Sequence, residues 1–380
     1  MHHYEVIVIG VGTMGSATCY HLAKRGVKVL GLEQFGIPHE QGSHAGQSRI
    51  IRKAYFEHPD YVPLLELAYR NWREMERVSG AELYVPTGLL YLGDLEHAVM
   101  KGVKASAVQF GIPLERPNAD AYPQIRVSAE QELLFEPDAG FVTPERSVLV
   151  HVAEAMKLGA EIRTQVEVGR WRVEGGGVVV ETSSGSFSAD RLVITAGPWT
   201  SKLVPLLKPK LEVTRQSLVW VMPEDPEAFQ LGKFPCWVIA EEGLHGVYYG
   251  FPMLPVDRFQ GPIGLKLAHH APATICDPDQ VDRNIYPEDS VPMVEVQRKY
   301  FRKGFKQLSA VKTCLYTNTA DENFIIDQLP GHDNVYVAAG FSGHGFKFAA
   351  GIGEIMADLA VDRKTEFPIG FLKLSGEGRR

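Results

Sequence analysis

Residues 4–33 contain, in direct succession, the pattern of a strand, a glycine-rich turn, a helix, a second strand and an acidic residue. The first run, YEVIVIG, is apolar and β-branched, as in a short buried parallel strand. Glycines follow at G-x-G-x-x-G spacing, at Gly10, Gly12 and Gly15, and the run VKVLGLE ends in Glu33. Together these elements predict a binding site for an adenine dinucleotide rather than an ordinary glycine-rich turn.

Each part of this pattern has a physical role. Gly10 permits the tight turn, Gly12 lets a pyrophosphate approach the backbone, and Gly15 allows helix and strand to pack closely. The Glu33 carboxylate accepts the ribose hydroxyls, which argues against the phosphorylated ribose of NADP. Between NAD and FAD, this segment alone does not decide.

Composition bounds the class of protein. A chain of 380 residues predicts two domains, or one large α/β body with an inserted second domain. The formal net charge of −7 gives no basic footprint for nucleic acid. The absence of a long apolar run or a signal peptide predicts no membrane segment and a cytoplasmic location. The 4 cysteines lack C-x-x-C spacing, so we expect neither disulfides nor a metal site.

The order of patterns predicts a discontinuous cofactor domain, because nucleotide-type elements lie at both ends of a β-rich middle. We assign residues 1–85, 144–210 and 320–380 to the cofactor domain, and residues 86–143 and 211–319 to a substrate domain. Helical patterns are predicted over residues 61–78, 95–110, 144–158 and 349–360, and short strands over residues 82–93, 133–143, 161–196 and 334–339.

A second glycine loop, GFSGHGFKF, spans residues 340–348 between a predicted strand and a predicted helix. Such a loop aims a helix N-terminus at an anionic or polarised group, and His344 and Lys347 add donors at the same place. The alternative is a plain connection with Lys347 solvated on the surface.

The strand Val311–Asn318 places Cys314 and Tyr316 on one face by its period of two. A thiolate there could serve as a nucleophile or as a covalent tether. The alternative is a buried and inert cysteine, which is the more common role for this residue type.

Two further segments carry cations. In the strand Ile263–His270, Lys266 and His270 share one face, and the lysine is either an edge residue or a buried charge with a purpose. In SRIIRKAY, an extended backbone would point Arg49 and Arg52 to opposite faces. One could then reach a cofactor and the other a substrate carboxylate, although both could instead be surface arginines.

Taken together, these residues resemble the monomeric sarcosine oxidase family, which includes N-methyltryptophan oxidase. The motifs that carry the resemblance are GSHAGQSRIIRKAY, YVPL, FEPDAGF, VYYGFP, GLKL, the Cys-x-Tyr strand with DENFIID, and GFSGHGFKF, and they cover nearly the whole chain. The resemblance implies an α/β fold of two domains. FAD would lie in a Rossmann-like domain of the glutathione-reductase type, beneath a β-rich antiparallel substrate domain.

The resemblance also implies roles for individual residues. Cys314 would be the covalent thioether link to the 8-methyl carbon of the flavin, and Lys266 would be the cation that promotes the reaction with oxygen. Arg52 and Lys347 would bind the substrate carboxylate. The remaining predicted active-site residues are Tyr316, Tyr249, His270 and Arg49. The predicted cofactor-binding residues, besides Cys314, are Gly10, Gly12, Thr13, Met14, Gly15, Glu33, Gln34, Gly42, Ser43, Ser48, Arg49, Val166, Ala196, Gly197, Gly340, Gly343, His344, Gly345 and Lys347.

The implied activity is oxidation of an N-methyl amino acid such as sarcosine, with oxygen and water, to the amino acid, formaldehyde and hydrogen peroxide. Alternatives are N-methyl-L-tryptophan, another amine or a cyclic imino acid as substrate, a non-catalytic flavoprotein, and, more remotely, an NAD-dependent dehydrogenase. The chain departs from the family at residues 44–47, where HAGQ stands in place of a frequent HHGD, and at residues 237–246. The resemblance further implies a monomer.

Overall fold

The computed structural model describes residues 2–271 and 273–375. The helices are α1 (Thr13–Lys24), α2 (Tyr61–Ser79), α3 (Ala98–Phe110), α4 (Pro144–Lys157), α5 (Thr200–Leu203), α6 (Val291–Tyr300) and α7 (Ala349–Asp362). The strands are β1 (His3–Ile9), β2 (Val29–Leu32), β3 (Arg49–Ile51), β4 (Tyr84–Val85), β5 (Leu89–Asp94), β6 (Gln131–Glu136), β7 (Gly140–Val142), β8 (Glu161–Arg163), β9 (Val168–Glu174), β10 (Gly177–Thr182), β11 (Gly185–Ile194), β12 (Glu212–Met222), β13 (Cys236–Ala240), β14 (Val247–Gly250), β15 (Leu265–His270), β16 (Thr274–Ile275), β17 (Gln307–Asn318), β18 (Ile325–Gln328) and β19 (Val335–Ala339).

The first sheet has the order β18-β19-β11-β1-β2-β8, with β10 pairing both β11 and β9. The neighbours β19, β11, β1, β2 and β8 run parallel, as the strand–helix–strand pattern predicts. Alternate residues of β1 enter different cores: Val6 and Val8 pack with α1 and α7, whereas Ile7 and Ile9 pack with residues of the β10–β11 hairpin. Both faces of the parallel strands are therefore buried.

The second sheet has the order β16-β12-β15-β14-β13-β5-β6, and β17 also pairs with β12. Its pairs are antiparallel except for β13 with β5. One face packs residues such as Val219 and Leu267 against α6. The other face gathers Trp220, Ala268 and Cys314 and turns toward the loop that follows β2. The period-two alternation read from β15 and β17 is thus present in this sheet.

A small sheet of order β3-β7-β4 joins segments from the two predicted domains. Its strand β7 lies in the segment assigned to the substrate domain, and it pairs with β3 and β4 from the segment assigned to the cofactor domain. This sheet fixes the direction in which the chain leaves Arg49. The domain boundaries themselves stay a prediction.

The mixed α/β fold with separate sheets confirms the predicted fold class. The predicted helix over residues 95–110 begins later, at Ala98, because the His97 side chain caps it by accepting a hydrogen bond from Val99 N at 3.2 Å. Within the residues that the structure describes, none of the helices combines the length and the apolar character needed to cross a bilayer.

Candidate active site

The turn between β1 and α1 has the geometry that its glycines predict. Gly10 has φ +88°, and a Cβ there would lie 2.7 Å from Thr195 O. A Cβ on Gly15 would lie 1.8 Å from Gly10 O, so this position admits only glycine. At Gly12, by contrast, the nearest atom would be His44 Nδ1 at 3.9 Å. The backbone at Gly12 therefore faces open space, where a pyrophosphate could approach it.

That open space belongs to a long cavity with about 1470 Å³ of empty volume, including its open mouth. Its walls come from three separated parts of the chain: residues 9–49, 166–203 and 315–346, with Asp279 at the edge. The predicted residues that line it are Gly10, Gly12, Thr13, Met14, Glu33, Gln34, Gly42, Ser43, Arg49, Val166, Ala196, Gly197, Tyr316, Gly340, Gly343 and Gly345. The structure thus brings most of the predicted cofactor contacts into one wall.

Glu33 is buried in that wall at the end of β2. Its carboxylate accepts hydrogen bonds from Val11 N at 2.9 Å and from Phe35 N at 3.0 Å. Burial raises the pKa of Glu33, and the backbone N–H groups of Phe35, Val11 and Gln34 oppose this shift. Two carboxylate oxygens offer about four acceptor sites, so acceptor capacity remains for ribose hydroxyls.

The cavity wall also holds polar atoms that the protein leaves unsatisfied. Among the described residues, the buried atoms His44 Nε2 and Thr317 Oγ1 have no hydrogen-bond partner. Buried polar atoms in native proteins are nearly always satisfied, so these two indicate a missing polar partner. Together with the open backbone at Gly12 and the acceptors of Glu33, they fit an elongated dinucleotide such as FAD.

The loop at residues 44–47, where the chain departs from the family pattern, is held by two side chains. The Glu145 carboxylate accepts hydrogen bonds from Gly46 N at 2.6 Å and Gln47 N at 3.2 Å. Gln47 Oε1 accepts a hydrogen bond from Trp220 Nε1 at 3.0 Å. The glutamine therefore has a structural role, linking this loop to the second sheet.

Arg49 lies at the far end of the long cavity and organises the loop before it. Its guanidinium donates to Ser43 O at 3.0 Å, Ala45 O at 2.7 Å and Ser48 O at 2.9 Å. Burial lowers the pKa of Arg49, but the neighbouring Cys314 and other groups outweigh it, so the pKa is raised. The arginine keeps its charge in this partly buried position.

Cys314 lies on β17, just behind the cavity wall. It is 3% exposed, and its thiol donates to Ser43 O at 3.5 Å, while Arg49 Nη2 lies 3.6 Å from Sγ. Cys314 itself does not line the cavity, although Leu315 and Tyr316 beside it do. The predicted covalent tether stays a prediction.

Lys266 is a buried charge and not an edge lysine, because β15 lies between β12 and β14. Its Nζ donates to Ser48 O at 2.5 Å and lies 4.7 Å from the centre of the Phe251 ring. Burial, reinforced by Arg49, holds the pKa of Lys266 well below its ordinary value. Lys266 and Ser48 lie behind Arg49 and do not line the cavity.

A second cavity, with about 590 Å³ of empty volume, meets the first at Arg49, Gly343 and Phe346. The predicted substrate-side residues that line it are Arg49, Arg52, Tyr249, His270 and Lys347. Tyr316, which lines the first cavity, shares a side-chain hydrogen bond with Tyr249 of the second. Most predicted cofactor residues therefore line the first cavity, and Arg52 lines only the second, whereas Arg49 lines both.

Arg52 is paired within the second cavity with Glu57, a residue that the sequence reading missed. Its guanidinium donates to the two Glu57 oxygens at 2.7 and 2.8 Å and stacks on the rings of Tyr55 and Phe56, at 4.3 and 4.2 Å. Burial lowers the pKa of Arg52 and Glu57 raises it, with a net rise. For Glu57, burial raises the pKa and Arg52 lowers it, with a net fall. An acid five residues after the arginine, in KAYFE, was the available signal.

Lys347 supplies a second buried cation. Its Nζ donates to His344 O at 2.7 Å, and burial together with Arg52 lowers its pKa to about 7, against the effect of Glu57. His344 shares a 2.5 Å hydrogen bond with Tyr55 Oη and is 3.0 Å from Glu322 O. Burial lowers the pKa of His344 to about 3, so the imidazole is neutral.

Some predicted cofactor residues lie outside the wall of the long cavity: Gly15, Ser48, Cys314, His344 and Lys347. Gly15 has its packing role, and both His344 and Lys347 line the second cavity instead. Within residues 2–271 and 273–375, there is no group of three or more His, Cys, Asp or Glu side chains placed to hold a metal ion.

Comparison with known proteins places the chain in a family. A family model described as DAO, FAD dependent oxidoreductase, matches residues 5–359. A monomeric sarcosine oxidase of Streptomyces avermitilis is 38% identical over 375 residues, which are 97% of this chain and 96% of the relative. An N-methyl-L-tryptophan oxidase of Salmonella dublin is 33% identical over 385 residues, 98% of each chain.

Solved structures agree on the fold. NikD, described as an unusual amino acid oxidase essential for nikkomycin biosynthesis, matches with a TM-score of 0.85 at 23% identity, over 98% of each chain. At this identity the likeness supports the fold alone, whereas the sequence relatives and the family model cover nearly the whole chain. The chain therefore belongs to the family of FAD-dependent oxidoreductases that includes the monomeric sarcosine oxidases and the N-methyl-L-tryptophan oxidases.

Proposed function

We propose that this protein oxidises an N-methyl amino acid, such as sarcosine, with oxygen and water to the amino acid, formaldehyde and hydrogen peroxide. The relatives named above support a secondary amine as substrate. The observation that carries the proposal is the pair of buried cations, Arg52 and Lys347, in a cavity that adjoins the dinucleotide cavity. Two cations converging in a buried pocket suit a carboxylate.

The chain's own residues would bind and orient this carboxylate. Lys347 has one acceptor among the described residues, His344 O, and an ammonium carries three N–H donors, so it has donors left for a ligand. Arg52 would exchange or share its contacts with Glu57 when the substrate carboxylate enters. The amine would then face Arg49, Gly343 and Phe346, where the two cavities meet.

The walls of the second cavity would exclude water and hold charged groups in fixed positions. His270 is neutral, since burial lowers its pKa to about 4, and it can line the pocket without repelling a cationic amine. Bound FAD would supply the redox chemistry, accepting two electrons from the amine and passing them to oxygen. Burial and Arg49 hold the pKa of Lys266 well below its ordinary value, and Lys266 is our candidate for the group that, when protonated, stabilises the negative charge that develops as oxygen is reduced.

A peroxide assay tests the proposal and its alternatives. We would measure hydrogen peroxide and formaldehyde with sarcosine, N-methyl-L-tryptophan and L-proline as substrates. We expect both products from at least one N-methyl amino acid. Peroxide from proline without formaldehyde would favour oxidation of a cyclic imino acid. No peroxide from any amine would favour a non-catalytic flavoprotein.

We also propose that Cys314 carries the flavin covalently through a thioether, that the protein is a monomer and that it is cytoplasmic. The position of Cys314 beside Ser43 and Arg49, both in the cavity wall, supports the first of these. Acid precipitation would leave the yellow colour in the wild-type pellet and release it from Cys314→Ala. A colourless wild-type pellet would refute the tether and leave the oxidase proposal intact.

A further inference from the structure

The last residue of β6, Glu136, is a fully buried carboxylate that the proposed chemistry does not use. Its Oε1 accepts a hydrogen bond from Lys53 N at 2.6 Å, and its Oε2 accepts one from Tyr91 Oη at 2.7 Å. Ala54 N lies 3.3 Å from both oxygens. The carboxylate thus accepts hydrogen bonds from two successive backbone N–H groups and one phenol.

Those two N–H groups belong to the turn that directly follows Arg52. The Arg52 guanidinium folds back over this turn, and its Nη1 donates to Ala54 O at 2.7 Å. A continuous chain of contacts therefore runs from Glu136 to the N–H of Ala54, and from the C=O of Ala54 to the guanidinium of Arg52. Glu136 touches neither cavity, since it lines neither wall.

A carboxylate suits this position because it accepts hydrogen bonds and donates none. Lys53 and Ala54 lie outside the strands, and buried N–H groups left without an acceptor are costly. Burial raises the pKa of Glu136, and the N–H of Lys53 and the phenol of Tyr91 oppose the rise. Within the described chain, Glu136 is held by these neutral donors and not by an ion pair at 4.0 Å or less.

We propose that Glu136 is a positioning residue for substrate binding: it fixes the turn at residues 53–54 so that Arg52 presents its guanidinium to the substrate carboxylate. This inference rests on the proposed function. Glu136 acts through Arg52, so it should affect ligands that carry a carboxylate and not ligands that lack one.

Two conservative variants distinguish the effect of the position of the Glu136 acceptor oxygens from the effect of its negative charge. Glu136→Gln keeps the length of the side chain: its amide oxygen can still accept from the backbone, and its NH₂ can donate to Tyr91 Oη. Glu136→Asp keeps the charge but shortens the side chain by one methylene, which moves the acceptor oxygens away from the backbone N–H groups. The matched control is Glu76→Asp, because Glu76 likewise accepts from two successive N–H groups, Leu83 N at 2.8 Å and Tyr84 N at 2.9 Å, and lines neither cavity.

Binding of propionate and of its neutral isostere propionamide to the holoenzyme is measured by the change in flavin absorbance. KM and kcat are measured with the active amine. We expect Glu136→Asp to weaken propionate binding and raise KM by roughly tenfold or more, because a small misplacement of a binding group has large effects. Its kcat and its affinity for propionamide should stay within about threefold of wild type. Glu136→Gln should resemble wild type, as should Glu76→Asp.

Three outcomes would overturn the proposal: wild-type propionate affinity in Glu136→Asp, a larger loss in Glu136→Gln than in Glu136→Asp, or an equal loss in Glu76→Asp. The proposed function fails in a different way. If wild-type enzyme binds propionamide as tightly as propionate, the cavity is no carboxylate site, whatever the variants do. If Glu136→Asp does not fold, Tyr91→Phe replaces it, and unchanged propionate binding with unchanged KM in that variant would equally overturn the proposal.

Discussion

At the scale of single residues, the site is defined by charges that are kept out of water. Arg52 and Lys347 are buried in the second cavity beside the partly buried Glu57. The partly buried Arg49 lies where the cavities meet, and Lys266 is buried outside both cavity walls. Burying charge is costly unless it is paired, and here the cations outnumber the carboxylates that contact them. A bound carboxylate would redress that balance, which is why the second cavity favours an anionic ligand.

The pKa of Lys347, about 7, predicts a pH dependence for binding of simple carboxylates. An anion binds the protonated lysine more tightly, so affinity should be highest below the pKa and fall as the pH rises through about 7. The fall should approach tenfold per pH unit, about 1.36 kcal/mol, between pH 7 and 9. Titrations of propionate against the holoenzyme at several pH values measure it.

The neighbouring groups should not titrate in this range. Arg52 has a raised pKa, Glu57 a lowered one, and those of His270 and His344 lie at about 4 and about 3. The control is Lys347→Met, whose propionate affinity should be weaker and nearly flat with pH. A wild-type profile that is equally flat would mean that Lys347 does not titrate near pH 7 or does not contact the anion.

Lys266→Met should separate the two half-reactions of the enzyme. Removing the cation should slow the reaction of the reduced enzyme with oxygen on the order of 10²–10³-fold, as expected for loss of one electrostatic stabiliser of a developing anion. Anaerobic reduction by the amine should change much less. Stopped-flow measurement of each half-reaction tests this, and equal slowing of both would contradict the role assigned to Lys266.

At the scale of elements, the glycine turn and the alternation of the strands could be predicted from the sequence. The period of two correctly placed Lys266 and His270 on one face of β15, and Cys314 and Tyr316 on one face of β17, because one face of the second sheet is buried against the segment that follows β2. The period of two does not predict how far a side chain lies from the cavity. Cys314 and Lys266 lie one layer behind the cavity wall, and layers depend on packing between elements distant in sequence.

Alanine at two glycines of the β1–α1 turn should affect two different properties: the free energy of unfolding at Gly15 and the affinity for FAD at Gly12. In Gly15→Ala the Cβ would lie 1.8 Å from Gly10 O, so we expect a loss of roughly 3 kcal/mol in the free energy of unfolding. In the protein without cofactor, the Cβ of Gly12→Ala has room, because its nearest neighbour is His44 Nδ1 at 3.9 Å. When FAD binds, that Cβ would occupy the space of the pyrophosphate. Stability without cofactor should change by less than about 0.5 kcal/mol. FAD affinity should fall roughly tenfold, about 1.4 kcal/mol.

Denaturant unfolding and the flavin content of the purified protein measure these two effects. Gly370→Ala is the matched control, because a Cβ there meets nothing within 4 Å, the Gly12 Cβ meets only His44 Nδ1 at 3.9 Å, and Gly370 lines neither cavity. It should leave both quantities unchanged. Normal flavin content in Gly12→Ala would contradict the position that we assign to the pyrophosphate.

At the scale of the whole molecule, the site exists only when distant parts of the chain meet. The wall of the long cavity needs residues 9–49, 166–203 and 315–346, and the second sheet closes the substrate side. The family resemblance let the sequence predict most of these contacts. Prediction missed Glu57 of the second cavity, and His39 and Trp199 of the long cavity wall. Glu57 has a local signal in KAYFE, whereas His39 and Trp199 come to the wall through neighbours across the fold.

This assembly predicts that FAD stabilises the molecule as one unit. In Cys314→Ala, where no thioether can form, cofactor can be removed and added back. At free FAD 100 times its Kd, we expect stabilisation of about 2.7 kcal/mol by mass action.

Because the cavity joins both large sheets, circular dichroism and tryptophan fluorescence should shift together, since Trp171 lies in the first sheet and Trp220 in the second. ADP, which would occupy only the end at Gly12 and Glu33, should stabilise less. A fluorescence transition that FAD does not shift together with circular dichroism would show that the cofactor does not couple the two sheets, and would place the flavin end away from Arg49 and Tyr316.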